Sequence, residues 1–564
     1  MSPSDSVADP TSGQSAFAAH AGASTRGKLF RIVFAGSLGT CFEAYDLFLV
    51  GTLAAVMSKQ FFSGVNPTAA LIFTLLGFAS GYLVRPLGAI FFGRIGDRMG
   101  RKRVFLITVA LMGMATFMIG LLPTYAAAGF LAPVLFVSLR LVQGFALGGE
   151  AGGAMVYVAE HVPENRRAFL TSWVQLAPVV GLLLSQVVVQ ATRAVVGPAE
   201  FLAWAWRVPF FLSLGLLALS VWVRTRMGES PEFERLRSEN SVSRAPLKEA
   251  LTGRRNVSAM TCSLLALCPG AAVAFYCAFF YTPFFLTEVL RIGPDTTSLL
   301  TIGALLVSMP FFIVFGALSD RLDRKLVICA GFVLVVLGYP AIYHGLAHFG
   351  NAALERASAA SPVVVIADPN DCSTQFNVIG TSKYRTSCDV AKSALVRAGI
   401  SYTNKAGEPG MPAVVKVGEQ TIQSYAADTQ GSAARAAALS TSLAAALDAA
   451  GYPRKADAAQ VNRPMLLLLM SALGILAAMT FGPLAAAMTD LFPPRVRFTA
   501  LSLSYHIGFG WTGGFLPAAA FAIVAASGDM YAGLAYPRVA ALVGAVLILL
   551  FALAARAQRL SCAR

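Results

Sequence analysis

Glu43 and Asp46 stand three residues apart in "GSLGTCFEAYDLFLVG" (36–51), and Arg140, Gln143, Leu147 and Glu150 recur in "RLVQGFALGGEAGGA" (140–154) at spacings that share one sector of a helix. Both stretches are otherwise apolar. An ionisable side chain at a bilayer centre costs at least about 2.5–3.5 kcal/mol, so each must be paired, protonated or bathed in water. Carboxylates so placed can do proton chemistry: beside an arginine an aspartate is ionised, and once the arginine withdraws from a dry site it takes up a proton. At 1.5 Å per residue, counted from the outer ends of oppositely running helices, Asp46 and Arg140 share a depth of about 13–17 Å and form the expected pair. Glu43 is able to share that role. Glu150, about 15 Å beyond Arg140, is either a second relay carboxylate or an inner gate contact. An ion pair that only fixes helix packing would leave the same residues.

The chain that must position these groups has 564 residues, of which 56% are hydrophobic and 13% charged, more apolar than a water-soluble core absorbs. About twelve segments approach the roughly 20 apolar residues of a helical crossing: 29–57, 68–92, 104–122, 131–158, 167–191, 205–224, 257–286, 297–318, 326–345, 463–489, 498–526 and 536–556. The expected fold is therefore an all-α membrane protein. Lys and Arg collect in alternate loops, at 94–103, 166–167, 224–255, 321–325, 495–497 and 556–564, which predicts both termini on the cytoplasmic side. The net charge of +15 is mostly this bias and does not argue for nucleic acid. Residues 1–28 read as a disordered cytoplasmic tail without a cleaved signal peptide, and 557–564 as a second short tail. The sequence holds scattered histidines, no CxxC pair, no phosphate-binding glycine loop and no catalytic constellation. An enzyme is disfavoured, no metal or other cofactor is expected, and energy must come from an ion or substrate gradient.

The loop after the second span, "GRIGDRMGRKR" (93–103), returns in weaker form after the eighth as "GALSDRLDRKL" (316–326). Two six-helix halves with the same charged loop in the same place indicate a duplication: 29–224, then 257–345 with 463–556, joined by a cytoplasmic linker at 225–256. At this point the sequence resembles the major facilitator superfamily, whose signature loop this is. The resemblance implies an inner-side latch built from Gly93, Gly96, Asp97, Arg98, Gly100, Arg101 and Lys102, with Asp320 and Arg321 as counterparts. Asp97 and Asp320 are expected to pair with arginines across the half interface.

The two stretches quoted first, with "SWVQLAPVVGLLLS" (172–185), "WRVPFFLSLGL" (206–216) and "GESPEF" (228–233), are similar to the metabolite:proton symporter family within that superfamily. Its members take up organic acids such as 2-oxoglutarate, citrate and shikimate, or zwitterions such as proline and betaine. The resemblance implies a monomeric bacterial inner-membrane importer driven by the proton gradient, with the lipid bilayer, protons and a small carboxylate as partners. Proton coupling falls to Asp46, Glu43, Arg140 and Glu150. Arg140, taken as the lone deep cation, favours a carboxylate and heads the substrate contacts, with Gln143, Gln175, Tyr276, Tyr281 and His506. Organic acids are placed ahead of zwitterionic solutes, and an exporter or a transporter-like receptor further behind. Two departures bear on specificity: Ala44 and Ala151 stand where the family usually has Trp, which widens the cavity if those positions line it.

Residues 346–462, between the ninth and tenth spans, are too long and polar for a loop and are expected to form a small periplasmic α/β unit. "VVVIA" and "AVVKV" read as strands, "CDVAKSALVRAGI" and the alanine-rich 433–449 as helices. Cys372 and Cys388 are the two cysteines in this unit, and an oxidising compartment predicts a disulfide between them. Cys41, Cys262, Cys268, Cys277, Cys329 and Cys562 are expected to stay thiols.

Overall fold

The long apolar runs form helices because a chain without water must satisfy its backbone internally. The structure, a computed structural model, describes residues 11–63, 67–226, 228–372, 385–427 and 432–562. Ten helices among these residues are long and apolar enough to cross a membrane, and a bent pair supplies an eleventh. Pro67–Met99, 33 residues long, is a further long helix, so the described helices are consistent with the twelve expected crossings. In order they are Leu29–Thr52, Pro67–Met99, Lys102–Leu121, Leu131–His161, Glu164–Val196, Ala205–Thr225, Arg254–Val289, Pro294–Arg321, Arg324–Gly350, Arg463–Thr489, the bent Arg497–Gly514 with Leu516–Val524, and Ala532–Ala554. They are called the first to twelfth helix below. Large apolar side chains such as Leu337 and Leu299 stand more than two-thirds exposed on the outer surface, which only hydrocarbon would cover.

The first helix begins at Thr11, so residues 11–28 are helical rather than a disordered tail. Ala16, Ala18, Ala19, Ala21 and Ala23 make that stretch a better helix former than its polarity suggests. Residues 1–10 lie outside the described residues. The second helix ends at Met99 and the helical run of the third starts at Arg101, so Gly100 alone breaks them, at φ +104°, a backbone conformation that costs a side-chain-bearing residue and makes the signature loop a one-residue corner. Glycines also line the seam between the second and fourth helices. A Cβ on Gly88, Gly144 or Gly148 would collide with backbone of the facing helix, so these two helices approach closely and fix what they carry.

The second half is less regular. The seventh helix contains wide π-type turns at Cys262–Leu267, Cys277–Tyr281 and Phe285–Val289, and the eleventh has one at His506–Trp511 before it bends by 41° ahead of Pro517. Such turns re-aim side chains, here the aromatic ones of the centre.

The stretch between the ninth and tenth helices folds as an α/β unit with a four-stranded sheet ordered β2-β1-β3-β4. β1 (Val363–Ala367) runs parallel to β2 (Tyr402–Ala406) and antiparallel to β3 (Val414–Val417), which forms a hairpin with β4 (Gln420–Gln423). Helices Ser387–Arg397 and Ser432–Ala449 stand where the sequence pattern places them. The two strands it did not reveal, β2 and β4, are the sheet edges, mostly exposed and polar. Cys372 and Cys388 are disulfide-bonded. Cys41, Cys262, Cys268, Cys277 and Cys329 are free and buried, and the Cys562 side chain lies outside the described residues.

Candidate functional site

Two polar networks lie inside the first half. In one, Arg140 Nη1 donates to Gln143 Oε1 at 2.7 Å and Gln143 Nε2 donates to Thr116 Oγ1 at 2.6 Å. The Thr116 hydroxyl borders the Asp46 carboxylate, whose Oδ1 is buried without a hydrogen-bond partner. Asp46 and Arg140 are thus joined through two intermediaries instead of in direct contact. Gln143, one turn from Arg140 on the same helix, and Thr116 on the third helix occupy the space between them.

The second network centres on Arg224, at the end of the sixth helix. Its Nη2 lies 3.0 Å from Glu43 Oε1 and also contacts Glu150 Oε1, while Nη1 donates to the Phe105 carbonyl at 3.1 Å. Thr108 donates to Glu150 Oε2 at 2.5 Å. Arg224, Glu43 and Glu150 are all buried, so one cation serves two carboxylates away from water. Glu150 is therefore placed with Arg224 and Glu43, apart from Arg140.

The second network reaches, through Glu43, a central cavity of 50 Å³ between the halves, whose wall also includes Ala44, Phe48, Arg85, Tyr276 and Tyr505; Asp46, Arg140 and Gln143 do not line it. Arg85, on the second helix, is buried with its guanidinium 3.7 Å above the Tyr82 ring. Arg140 is accordingly one of three deep cations among the described residues of the spans, with Arg85 and Arg224, and not the lone one. Tyr276 donates to the Tyr82 hydroxyl at 2.8 Å, and Trp511 Nε1 donates to the Tyr82 carbonyl at 3.1 Å. Tyr276 faces the cavity. Gln175 instead bridges the halves through the Phe481 carbonyl at 3.1 Å, Tyr281 packs against Phe285 and Tyr343, and His506 is buried behind Tyr505. Ala44 lines the wall, and the Ala151 side chain lies outside the described residues.

The signature-loop end is clasped shut. Asp97 Oδ2 accepts from the Thr499 backbone N–H at 2.9 Å and from its hydroxyl at 2.6 Å, at the start of the eleventh helix. Asp320 accepts from the N–H groups of Ala168 and Phe169, at 2.9 and 2.8 Å, at the start of the fifth. Each aspartate therefore caps a helix of the opposite half. The cross-half contacts seen for both carboxylates are with helix N–H groups, which attract a carboxylate by both hydrogen bonding and dipole. Arg324, the arginine beside Asp320 at 3.1 Å, belongs to its own half. Asp490 adds a bridge to Arg167 at 2.6 Å and to Arg324. Gly93 and Gly96 lie against Thr499 and Phe498, Lys102 Nζ donates to the Thr225 carbonyl at 2.8 Å, and Arg98 and Arg321 are exposed. The Arg101 side chain lies outside the described residues.

Arg85, Arg224, Thr108 and Thr116 were not singled out from sequence. For Arg85 the signal was present, as a charge in mid-span carries the same burial cost as Asp46. Arg224, at a span end, reads as a topogenic cation whose head reaches the interface, yet it turns inward.

The Major Facilitator Superfamily model matches residues 36–358. The chain is 36% identical over 329 residues to a proline/betaine transporter of Escherichia coli (strain K12), covering 56% of this chain and 64% of that protein. It is 34% identical over 314 residues to a glycine betaine/proline/ectoine/pipecolic acid transporter of Dickeya dadantii (strain 3937), covering 54% and 62%. With a shikimate transporter of Escherichia coli (strain K12) it shares 37% over 304 residues, covering 53% and 68%. The chain thus spans less than two thirds of the length of the proline and betaine relatives it matches. The solved proton:xylose symporter XylE shares the fold, with a TM-score of 0.60 at 14% identity over 93% of this chain and 96% of that one.

Proposed function

Because this chain belongs to the major facilitator superfamily, we propose that it is a proton-coupled importer of a compact zwitterionic carboxylate, of the proline and betaine type, working by alternating access. It is an integral membrane transporter and not an enzyme. The observation that carries the proton reading is the surplus of buried carboxylates over paired cations on the first half: Glu43 and Glu150 share Arg224, and Asp46 keeps an unpartnered oxygen. A proton neutralises such a surplus cheaply in a dry site and leaves once water reaches it. Rocking of the two halves around the cavity exchanges those conditions. In this reading Arg140, Gln143 and Thr116 carry the state of Asp46 across the first half, and the Asp97 and Asp320 caps hold the cytoplasmic end closed.

The solute class follows the relatives, two of which transport proline or betaine by name. Organic acids, favoured on the sequence alone, rank second with the shikimate carrier as their support. The setting is the inner membrane of a bacterium, with both termini in the cytoplasm and residues 346–462 outside. The test is uptake into proteoliposomes under an imposed pH difference, with labelled proline, glycine betaine, shikimate, 2-oxoglutarate and citrate in parallel. Accumulation of proline or betaine that a protonophore abolishes is expected. Accumulation indifferent to the protonophore sinks the coupling, and accumulation of the organic acids alone sinks the solute class.

A further inference from the structure

Arg85 is 3% exposed, and its Nε and Nη2 are buried without a hydrogen-bond partner. A guanidinium left with open donors inside a protein is costly, and its planar fork matches a carboxylate. Stacking on Tyr82, in a helix held by the glycine seam, keeps it from withdrawing. The same cavity presents the opposite charge: Glu43 faces it with Oε2 unpartnered, its other oxygen engaged by Arg224. Most of the remaining wall is aromatic, with Phe48 from the first half and Phe275, Tyr276, Phe481, Tyr505 and Phe509 from the second. Ring faces attract a cation, most of all a poorly hydrated quaternary ammonium.

We infer that Arg85 anchors the carboxylate of the transported solute, while Glu43 and the aromatic rings receive a quaternary ammonium group at its other end. The inference rests on the zwitterion reading above and adds the residues and the polarity. The cavity measures 50 Å³ in this closed state, room for about one or two waters, so its wall must move outward to take the solute. A polyhydroxylated acid would meet rings where its hydroxyls need partners, and a site that leaves polar groups unpaired discriminates strongly. Because the rings come from both halves, the ammonium end draws them together when the solute is bound.

The test is equilibrium binding of labelled glycine betaine to the purified full chain, with two competitors: choline, which lacks the carboxylate, and 3,3-dimethylbutyrate, which lacks the cation. Wild type should prefer betaine to both. Arg85→Gln should weaken betaine about tenfold to a hundredfold, the range of a lost hydrogen bond to a charged group, and leave choline unchanged. Arg85→Lys, which keeps the charge and loses the fork, should fall between, and it carries the test if the glutamine variant does not fold. Glu43→Gln should weaken betaine and choline but not 3,3-dimethylbutyrate. Betaine binding at wild-type strength in folded Arg85 variants overturns the anchor while leaving the zwitterion reading intact. If wild type binds shikimate or 2-oxoglutarate and no betaine, the zwitterion reading and the ammonium subsite fall together. Loss of that acid's binding in Arg85→Gln would then still support the anchor, and its retention would overturn it.

Discussion

The Arg224 guanidinium lies 3.0 Å from the Glu43 carboxylate, both buried, and the same guanidinium reaches Glu150. Breaking a buried ion pair by removing one member costs about 3–5 kcal/mol, because the survivor stays buried and uncompensated. Arg224→Gln should therefore lower the melting temperature of the purified carrier or its yield sharply. Adding Glu150→Gln to that variant removes one of the two stranded carboxylates and should recover part of the loss. A double variant no more stable than Arg224→Gln would show that the three groups do not act as a unit.

Among the described residues Asp46 differs from that cluster in having no cation against it; it meets Thr116, with Gln143 and Arg140 beyond. Asp46→Asn keeps the shape and removes the titrating group. Proton-driven accumulation should be lost while exchange of labelled for unlabelled solute continues, since exchange needs the rocking motion but no net proton movement. Accumulation against a gradient in this variant would exclude Asp46 from coupling. Thr116→Val, which interrupts the bridge without touching a charge, should shift the pH profile of uptake; an unchanged profile would detach Arg140 from Asp46.

The carboxylate of Asp97 takes two hydrogen bonds from Thr499, and those bonds exist only while the signature-loop end is closed. Hydrogen bonds to a charged group are worth about 1.5–3 kcal/mol. Asp97→Asn should shift the population by that amount toward the state open at this end, read as faster alkylation of a cysteine introduced beneath the latch. Labelling no faster than in the parent would place the closing energy elsewhere, in the Asp490 bridges to Arg167 and Arg324.

Much of this architecture was legible because hydrocarbon imposes simple rules. The long apolar helices follow from length and hydropathy, the duplication from one repeated loop, and the carboxylates of the first and fourth helices from the cost of burying them. Partner choice was not legible. Glu43 and Asp46 share a helix face, yet one meets Arg224 and the other meets Thr116. That outcome depends on how three further helices pack and not on spacing along one. The aspartates of the two signature loops show the same limit: their loops predicted a latch, but the partners are helix N-termini, which no residue type advertises. Strands β2 and β4 escaped because exposed edges carry polar residues on both faces and lose the alternation that marks a half-buried strand.

The α/β unit is tied to the second half at several points. The Arg291 guanidinium, in the connection between the seventh and eighth helices, donates to the carbonyls of Ala398 and Pro453. Tyr402 N–H donates to the Gly528 carbonyl at 2.7 Å and Asn404 to the Ser527 carbonyl at 3.1 Å, both in the turn after the eleventh helix. All of these anchors belong to one half, so the unit should travel with that half as it rocks. Spin labels on the unit and on the second half should keep their separation when solute is added, while labels on the unit and on the first half change theirs. Arg291→Ala frees two carbonyls and should broaden the first distance, with uptake retained if the unit is a passive cap. Deletion of 362–455 is the stricter version. Wild-type uptake after deletion would leave the unit a covering role, whereas lost uptake in a folded carrier would require that it guide solute toward the cavity.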